Sequence, residues 1–207
     1  MENDVKEFLS ELLKQLKSID YIKPEDIPNI DLYMDQVTTF MDEQLAASKR
    51  YESDKILTKT MINNYAKNNL LPSPDKKKYS KEHVLTLLFI YYFKNILSIN
   101  DIRSILNPLT EKYFGNDDGF TMQDVYTEVF SLEAEESQKL LKDLGKKYKI
   151  AGETFEDFPD EDQKFLHTFS FICMLSFDVY IKKMLIERMI DNLNEEISDP
   201  HQENPQM

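Results

Sequence analysis

The residues of this sequence with the clearest chemical use are lysines and small polar side chains between positions 58 and 78. Asn63 and Asn64 are adjacent, and an asparagine amide offers the donor and acceptor pair that reads the edge of an adenine base. Thr60 precedes them by one helical turn. The side chains around them could bind phosphate groups, and these are Thr58, Lys59, Lys67, Lys76, Lys77 and Lys78. The pattern predicts contact with double-stranded DNA, with Thr60, Asn63 and Asn64 facing the bases.

The overall charge opposes this interpretation, because the formal net charge is −13 and phosphate binding depends on lysine and arginine. The charge is unevenly distributed, however. Between Lys55 and Arg103 there are nine basic and three acidic residues, so this segment carries +6 and the rest of the chain carries −19. A basic segment within an acidic chain favours a polyanionic partner for that segment alone.

Simpler interpretations of the same residues stay open. Three consecutive lysines are commonly a solvated loop, and an asparagine pair is commonly an exposed helix face. The alternative function is a non-enzymatic protein-interaction module that does not contact DNA and whose acidic surface docks a basic partner. A third class, a small-molecule sensor, would require a ligand site between the C-terminal helices.

The elements that must position these residues are mostly helices. Apolar residues recur at helical spacing along most of the chain, and only four glycines are present. Thr58 can cap the start of one helix, and the tolerance of Asn68 and Asn69 for left-handed backbone angles can end it. Ser80 and Ser98 can cap the next two helices. The predicted helices span approximately residues 4–19, 32–47, 58–68, 81–97, 100–106, 121–144 and 160–197.

Prolines and glycines mark the predicted boundaries. Pro72 and Pro74 require an extended segment between two helices. Asn107-Pro108 and the turn from Gly115 to Gly119 mark the main internal boundary, and Gly145 begins a connection that ends at Pro159. The predicted parts are an N-terminal helix and linker (1–30), a DNA-binding segment (31–110), a helical support, dimerisation or effector region (120–198) and a flexible tail (199–207).

The order of helix, proline-braced extended segment, lysine-rich turn and apolar helix resembles the N-terminal DNA-binding domain of the MerR transcription regulators. The pattern of that family runs roughly V-S-P-R-T-I-R-Y-Y-E, then G-L-L-P-P, then a basic wing ending in Y-S. The corresponding segments here are Leu57–Ala66, Asn69–Pro74 and Lys76–Ser80. The resemblance implies a mainly all-α chain with a winged helix-turn-helix module, a short or vestigial β-wing and a helical C-terminal half. It also implies that the helix from Thr58 enters the major groove.

Three differences from the MerR pattern are visible. Asn63 and Thr60 stand where arginines are usual, the wing is shorter, and Lys49–Ile56 separates the first two helices of the module. The whole sequence also resembles an uncharacterised bacterial family, domain of unknown function 1836, which has been linked to MerR-like regulators by the same segment. These resemblances imply a bacterial transcriptional regulator.

The C-terminal half carries a heptad-like seam, in which Phe165, Ile172, Val179, Ile186 and Leu193 recur every seven residues. Further apolar residues widen this face through about residue 189. We therefore expect the run Phe165–Ile181, including Cys173, to be buried within its own chain, with a homodimer seam near the end of the helix. Aromatic and methionine side chains in this half are expected to be core, and their alternative role is to line a pocket for an unidentified effector. This second set comprises Phe155, Phe158, Phe171, Met174, Phe177 and Tyr180.

Catalytic and metal-binding patterns are not found in the sequence. His83, His167 and His201 stand apart, without the spacing of zinc-binding motifs. If Gly119 is placed at the sixth position of a calcium loop, Phe114 and Val125 occupy the positions that require carboxylates. We therefore expect no enzyme activity, no metal and no cofactor. The single cysteine and the lack of a signal-peptide pattern predict a cytoplasmic protein that does not enter the membrane.

Overall fold

A computed structural model describes residues 7, 10, 11 and 14 together with the ranges 22–116 and 119–198. The four isolated N-terminal residues are helical, and the remainder of the helix predicted over 4–19 lies outside the described residues. The tail predicted at 199–207 also lies outside them.

The secondary structure is mainly helical with one small antiparallel sheet, which confirms the predicted fold class. Two strands of two residues pair, with Leu32 opposite Tyr79 and Tyr33 opposite Lys78. The elements of the described ranges are β1 (Leu32–Tyr33), α1 (Met34–Gln44), α2 (Lys59–Lys67), β2 (Lys78–Tyr79), α3 (Lys81–Phe93), α4 (Ile99–Tyr113), α5 (Met122–Ala151) and α6 (Asp160–Ser198), with short 3₁₀ turns at Pro24–Asp26 and Ala46–Ser48.

Two compact units divide the chain. Of the described residues, one unit comprises those of 22–127 with 183–198, and the other comprises those of 128–182 with residues 7, 10, 11 and 14. The first is called here the strand-bearing unit, because it contains β1 and β2, and the second the hairpin unit, because α5 and α6 are joined there by a short connection.

Helix α3 forms the centre of the strand-bearing unit. Its residues from His83 to Tyr91 are all buried, as expected for a helix that is apolar on every side. Thr86 is fully buried but satisfied, because its hydroxyl donates to the backbone carbonyl of Glu82 at 2.8 Å. Fully buried side chains of α1, α2 and α4 complete the core with it, and they include Val37, Met41, Ile62, Ile102 and Leu106.

The long connection between α1 and α2 is held against α3 by polar contacts. Lys94 donates from Nζ to the carbonyl of Ile56 at 2.6 Å, and its ammonium group lies 4.9 Å from the centre of the Tyr91 ring. The Tyr91 hydroxyl is hydrogen bonded to the hydroxyl of Ser48. Burial lowers the pKa of Lys94, because the charged ammonium loses water. The extra residues that distinguish this segment from the MerR pattern are therefore anchored.

The main segment of this unit is residues 22–127, and the beginning and the end of that segment meet in the interior of the unit. The buried Tyr126, near the start of α5, donates its hydroxyl to the carbonyl of Ile22 at 2.8 Å. The helix predicted over 100–106 is longer than expected, because α4 continues through Pro108 to Tyr113. Pro108 is exposed while Leu106 is fully buried, so packing of the inner face maintains a helix that the proline alone would interrupt.

In the hairpin unit, the last turns of α5 pack against the middle of α6. The rings of Tyr148 and Phe171 meet edge to face at 5.4 Å, and Lys147 forms ion pairs with Asp143 and Asp178. The break predicted at Gly145 was wrong, since α5 runs through it to Ala151. Leu141 and Ala151 are buried on either side of the glycine, and this packing outweighs its low helix propensity.

The predicted burial of Phe165–Ile181 was also wrong for much of the run. Phe171 is buried, but Phe165, Phe169, Ile172, Phe177, Val179 and Tyr180 are exposed, and so is Cys173. Phe158 is half exposed as well, so the expectation that this whole set forms core fails. Near the end of α6, where a dimer seam is predicted, Ile190 is buried while Met189 and Leu193 are exposed. Of the helices in the described ranges, none has the length and apolarity needed to cross a membrane.

Candidate nucleic-acid interface

Helix α2 presents the predicted base-reading residues on one face. Thr58 caps its start, since its side-chain oxygen accepts a hydrogen bond from the Met61 backbone N–H at 3.2 Å. Ile62 and Tyr65 are buried, which fixes the rotation of the helix. The opposite face is exposed and consists of Lys59, Thr60, Asn63, Asn64 and Lys67, which together span an arc of about 140° at 3.6 residues per turn.

The end of α2 is a Schellman motif that confirms the prediction made from the asparagine pair. Asn69 has a positive φ of 55°, and the N–H of Leu70 donates to the carbonyl of Tyr65 at 2.9 Å. Leu70 and Leu71 are then buried, with relative exposures of 1% and 2%. The extended segment through Pro74 is thus fastened to the core where it leaves the helix.

Residues 75–78, called here the lysine turn, reverse the chain before β2. The N–H of Lys78 donates to the carbonyl of Asp75 at 2.8 Å, and Lys76 and Lys77 both have positive φ angles, of 46° and 64°. These angles define a type I′ turn, which asparagine and glycine adopt far more readily than lysine. Both lysine side chains are exposed at the tip. The turn therefore has two lysines at positions whose left-handed backbone angles are unfavourable for residues with a side chain.

The segment Tyr33–Asp35 joins α2 to the lysine turn. Tyr33 pairs with Lys78 in the sheet, and the Lys78 ammonium lies 5.6 Å from the centre of the exposed Tyr33 ring. Two residues later, Asp35 forms an ion pair with Lys59 at the start of α2. Both partners of that pair are well exposed, so it contributes little to stability. The contacts bring the start of α2 and the base of the turn to the same short piece of chain.

His83 is buried near the start of α3 and packs against β2. It is 5% exposed, and its Nδ1 accepts a hydrogen bond from the Ser80 N–H at 3.0 Å, which starts α3 directly after β2. Its ring meets those of Tyr79 and Phe114 edge to face, at 5.5 and 4.7 Å. The Nε2 atom is buried without a hydrogen bond of ordinary geometry. Burial lowers the pKa of His83 below 6.5, and the nearby carbonyls of Ser73 and Pro72 and the charge of Asp31 offset only part of this effect.

The structure places the predicted residues on α2 and on the lysine turn, and three of them already have contacts within the chain. Thr58 is occupied as a helix cap, Lys59 is paired with Asp35, and Lys78 lies over Tyr33. Sequence reasoning missed Tyr33, Asp35 and His83. Tyr33 becomes a neighbour of Lys78 through the strand pairing, and Asp35 becomes a neighbour of Lys59 where α1 packs against α2, and the sequence indicated neither contact. The Ser80-to-His83 spacing was a usable signal, because a side chain three residues after a serine cap often bonds back to it.

Comparison with known proteins identifies the family. The family described as domain of unknown function (DUF1836) matches residues 22–129, more than half of the chain, and the protein belongs to it. The matched range closely follows the main segment of the strand-bearing unit, Ile22–Thr127, so the family domain and the compact unit are nearly the same. Neither the curated proteins nor the solved structures gave a match. In the described part of the chain, no three histidine, cysteine, aspartate or glutamate side chains gather into a metal-binding group.

Proposed function

We propose that this protein is a non-enzymatic, DNA-binding transcriptional regulator of the MerR-like kind. In this proposal Thr60, Asn63 and Asn64 on α2 contact base edges in the major groove. Lys67, Lys76 and Lys77 contact phosphates on either side, and Lys59 and Lys78 contribute once they exchange their present partners for phosphate. Thr58 keeps its cap and can still donate its hydroxyl proton to a phosphate oxygen.

The observation that carries the proposal is the convergence of α2 and the lysine turn on Tyr33–Asp35. A polar helix face and a basic turn separated by eight or more residues of sequence need a tertiary link to act on one ligand. Here that link consists of the Lys78–Tyr33 pairing and the Lys59–Asp35 ion pair. The exposed polar face of α2 also contains both asparagines, which the core leaves free to project outward.

The test is a salt titration of binding to random duplex DNA, followed by fluorescence anisotropy. Each phosphate contact contributes about 0.9 to the slope of log affinity against log salt. The double variant Lys76→Ala/Lys77→Ala should therefore reduce that slope by about 1.8. The matched control is Lys139→Ala/Lys149→Ala, which removes the same charge from two exposed positions on α5. Equal slopes for the two variants, or no binding at low salt, would refute the proposal.

A second candidate function, a protein-interaction module without DNA contact, is favoured by one feature of the same surface. Lys59 and Lys78 already have partners within the chain, so only part of the predicted phosphate-binding set is unengaged in the described structure. Under this alternative, the acidic remainder of the surface docks a basic protein. The same titration separates the two functions, because the alternative predicts no salt-dependent affinity for DNA.

A further inference from the structure

The two-stranded sheet has one face toward the core and one face toward solvent. Leu32 and Tyr79 stand opposite each other in the pair, and both are buried, with relative exposures of 5% and 4%. Tyr33 and Lys78 form the other cross-strand pair, and side chains that stand opposite each other project from the same face of a sheet. Tyr33 is 55% exposed. The outer face of the sheet therefore presents an open aromatic ring beside an ammonium group.

The Tyr33 ring lies between the two parts of the proposed DNA surface. On one side is Lys78, the last residue of the lysine turn, whose ammonium group lies 5.6 Å from the centre of the ring. On the other side the chain reaches Asp35 within two residues, and Asp35 pairs with Lys59 at the start of α2. A DNA strand that contacts both α2 and the lysine turn therefore passes close to this ring.

We propose that Tyr33 is a further DNA-contacting residue, which binds the sugar-phosphate backbone between α2 and the lysine turn. This inference rests on the proposed function. The phenol hydroxyl donates a hydrogen bond to a phosphate oxygen, and the ring packs on the neighbouring deoxyribose. Tyrosine suits this place because its body is apolar and its tip is polar. The contact involves no positive charge, so it adds affinity without releasing a counterion from the DNA.

Tyr51, on the connection between α1 and α2, provides a matched comparison. It is 59% exposed, and the guanidinium group of Arg50 lies 5.2 Å from the centre of its ring, much as Lys78 lies beside Tyr33. Tyr51 lies outside both strands, however. The two tyrosines therefore share their exposure and a neighbouring cation, and they differ in that only the cation beside Tyr33 belongs to the lysine turn.

Fluorescence anisotropy of the full chain with random duplex DNA at low salt tests the contact. Tyr33→Phe retains the ring beside Lys78 but removes the hydroxyl, so the affinity should fall about 3-fold to 10-fold, which corresponds to one hydrogen bond. Tyr33→Ala also removes the ring, and the affinity should fall roughly 3-fold further. The slope of log affinity against log salt should stay unchanged in both variants, because no positive charge is removed. Tyr51→Phe and Tyr51→Ala should change neither the affinity nor the slope.

The outcomes separate this inference from the function on which it rests. Normal DNA binding by both Tyr33 variants, or equal losses in the Tyr51 variants, overturns the contact and leaves the proposed function standing. Failure of the unmodified protein to bind DNA overturns both. A lower salt slope in Tyr33→Ala would show that the ring acts only by holding Lys78 in place, which also overturns the contact. So does a larger loss with single-stranded than with duplex DNA, because the ring would then stack on an unpaired base.

Circular dichroism checks that Tyr33→Ala is folded. If it is not, Tyr33→Phe decides the outcome, because it leaves the ring and the strand pairing in place.

Discussion

The lysine turn offers a substitution in which stability and DNA binding should change in opposite directions. Lys76→Asn/Lys77→Gly installs the residues that a type I′ turn prefers, at positions with φ angles of 46° and 64°. A left-handed backbone costs an ordinary L-residue about 1–2 kcal/mol, while glycine adds about 0.5–1 kcal/mol of lost chain freedom on folding. The free energy of unfolding should therefore rise by about 1–2 kcal/mol for the two changes together.

Urea denaturation followed by circular dichroism measures the first effect, with hydrogen exchange of α2 and α3 to assign it to the strand-bearing unit. The salt titration measures the second effect, where the slope should fall by about 1.8. The control Lys76→Ala/Lys77→Ala removes the same charges but retains a side chain at both left-handed positions, so it should lose slope without gaining stability. A less stable Asn-Gly variant would refute the reasoning about the turn. A more stable variant with an unchanged slope would refute the phosphate role of the lysines.

Two further predictions concern Asp35 and His83. Asp35→Asn should increase the affinity for random DNA and raise the salt slope by up to about 0.9, because it frees Lys59 and removes a negative charge beside it. The control Glu43→Gln, at the other end of α1, should change neither the affinity nor the slope. Because the pKa of His83 is lowered in the folded state, its contribution to stability is present above pH 6.5 and is lost as the pH falls below it, by at most about 1.4 kcal/mol per pH unit. His83→Gln retains an acceptor for the Ser80 N–H and should flatten the pH dependence of urea denaturation between pH 7.5 and 5.5. A pH dependence equal to that of the unmodified protein would contradict the assignment.

The sequence predicted those parts of the structure that local physics determines. Helix α2 was predicted nearly residue by residue, because its cap, its buried stripe and its left-handed end are all encoded within a dozen positions. The same reasoning predicted the starts of α3 and α4 from Ser80 and Ser98, which cap them. It placed breaks at Pro108 and Gly145, where helices in fact continue, since burial of Leu106, Leu141 and Ala151 outweighs local preference.

Contacts between residues that are far apart in the sequence could not be predicted from the spacing of residue types. The pairing of β1 with β2 joins positions more than forty residues apart and brings Tyr33 to Lys78. The packing of α1 against α2 brings Asp35 to Lys59, which is 24 residues away in the sequence. The apolar run on α6 was read as buried in its own chain, because spacing alone does not distinguish contact within a chain from contact between two chains. In the structure much of this run is exposed.

The claim on which the account depends is that α2 and the lysine turn form one DNA-contacting surface. Lysine acetylation followed by mass spectrometry, with and without duplex DNA at low salt, tests it most directly. The account predicts that DNA protects Lys67, Lys76 and Lys77, which are exposed in the free protein, and leaves the exposed Lys139 and Lys149 equally reactive. Uniform protection of all five lysines, or protection of none, would contradict it.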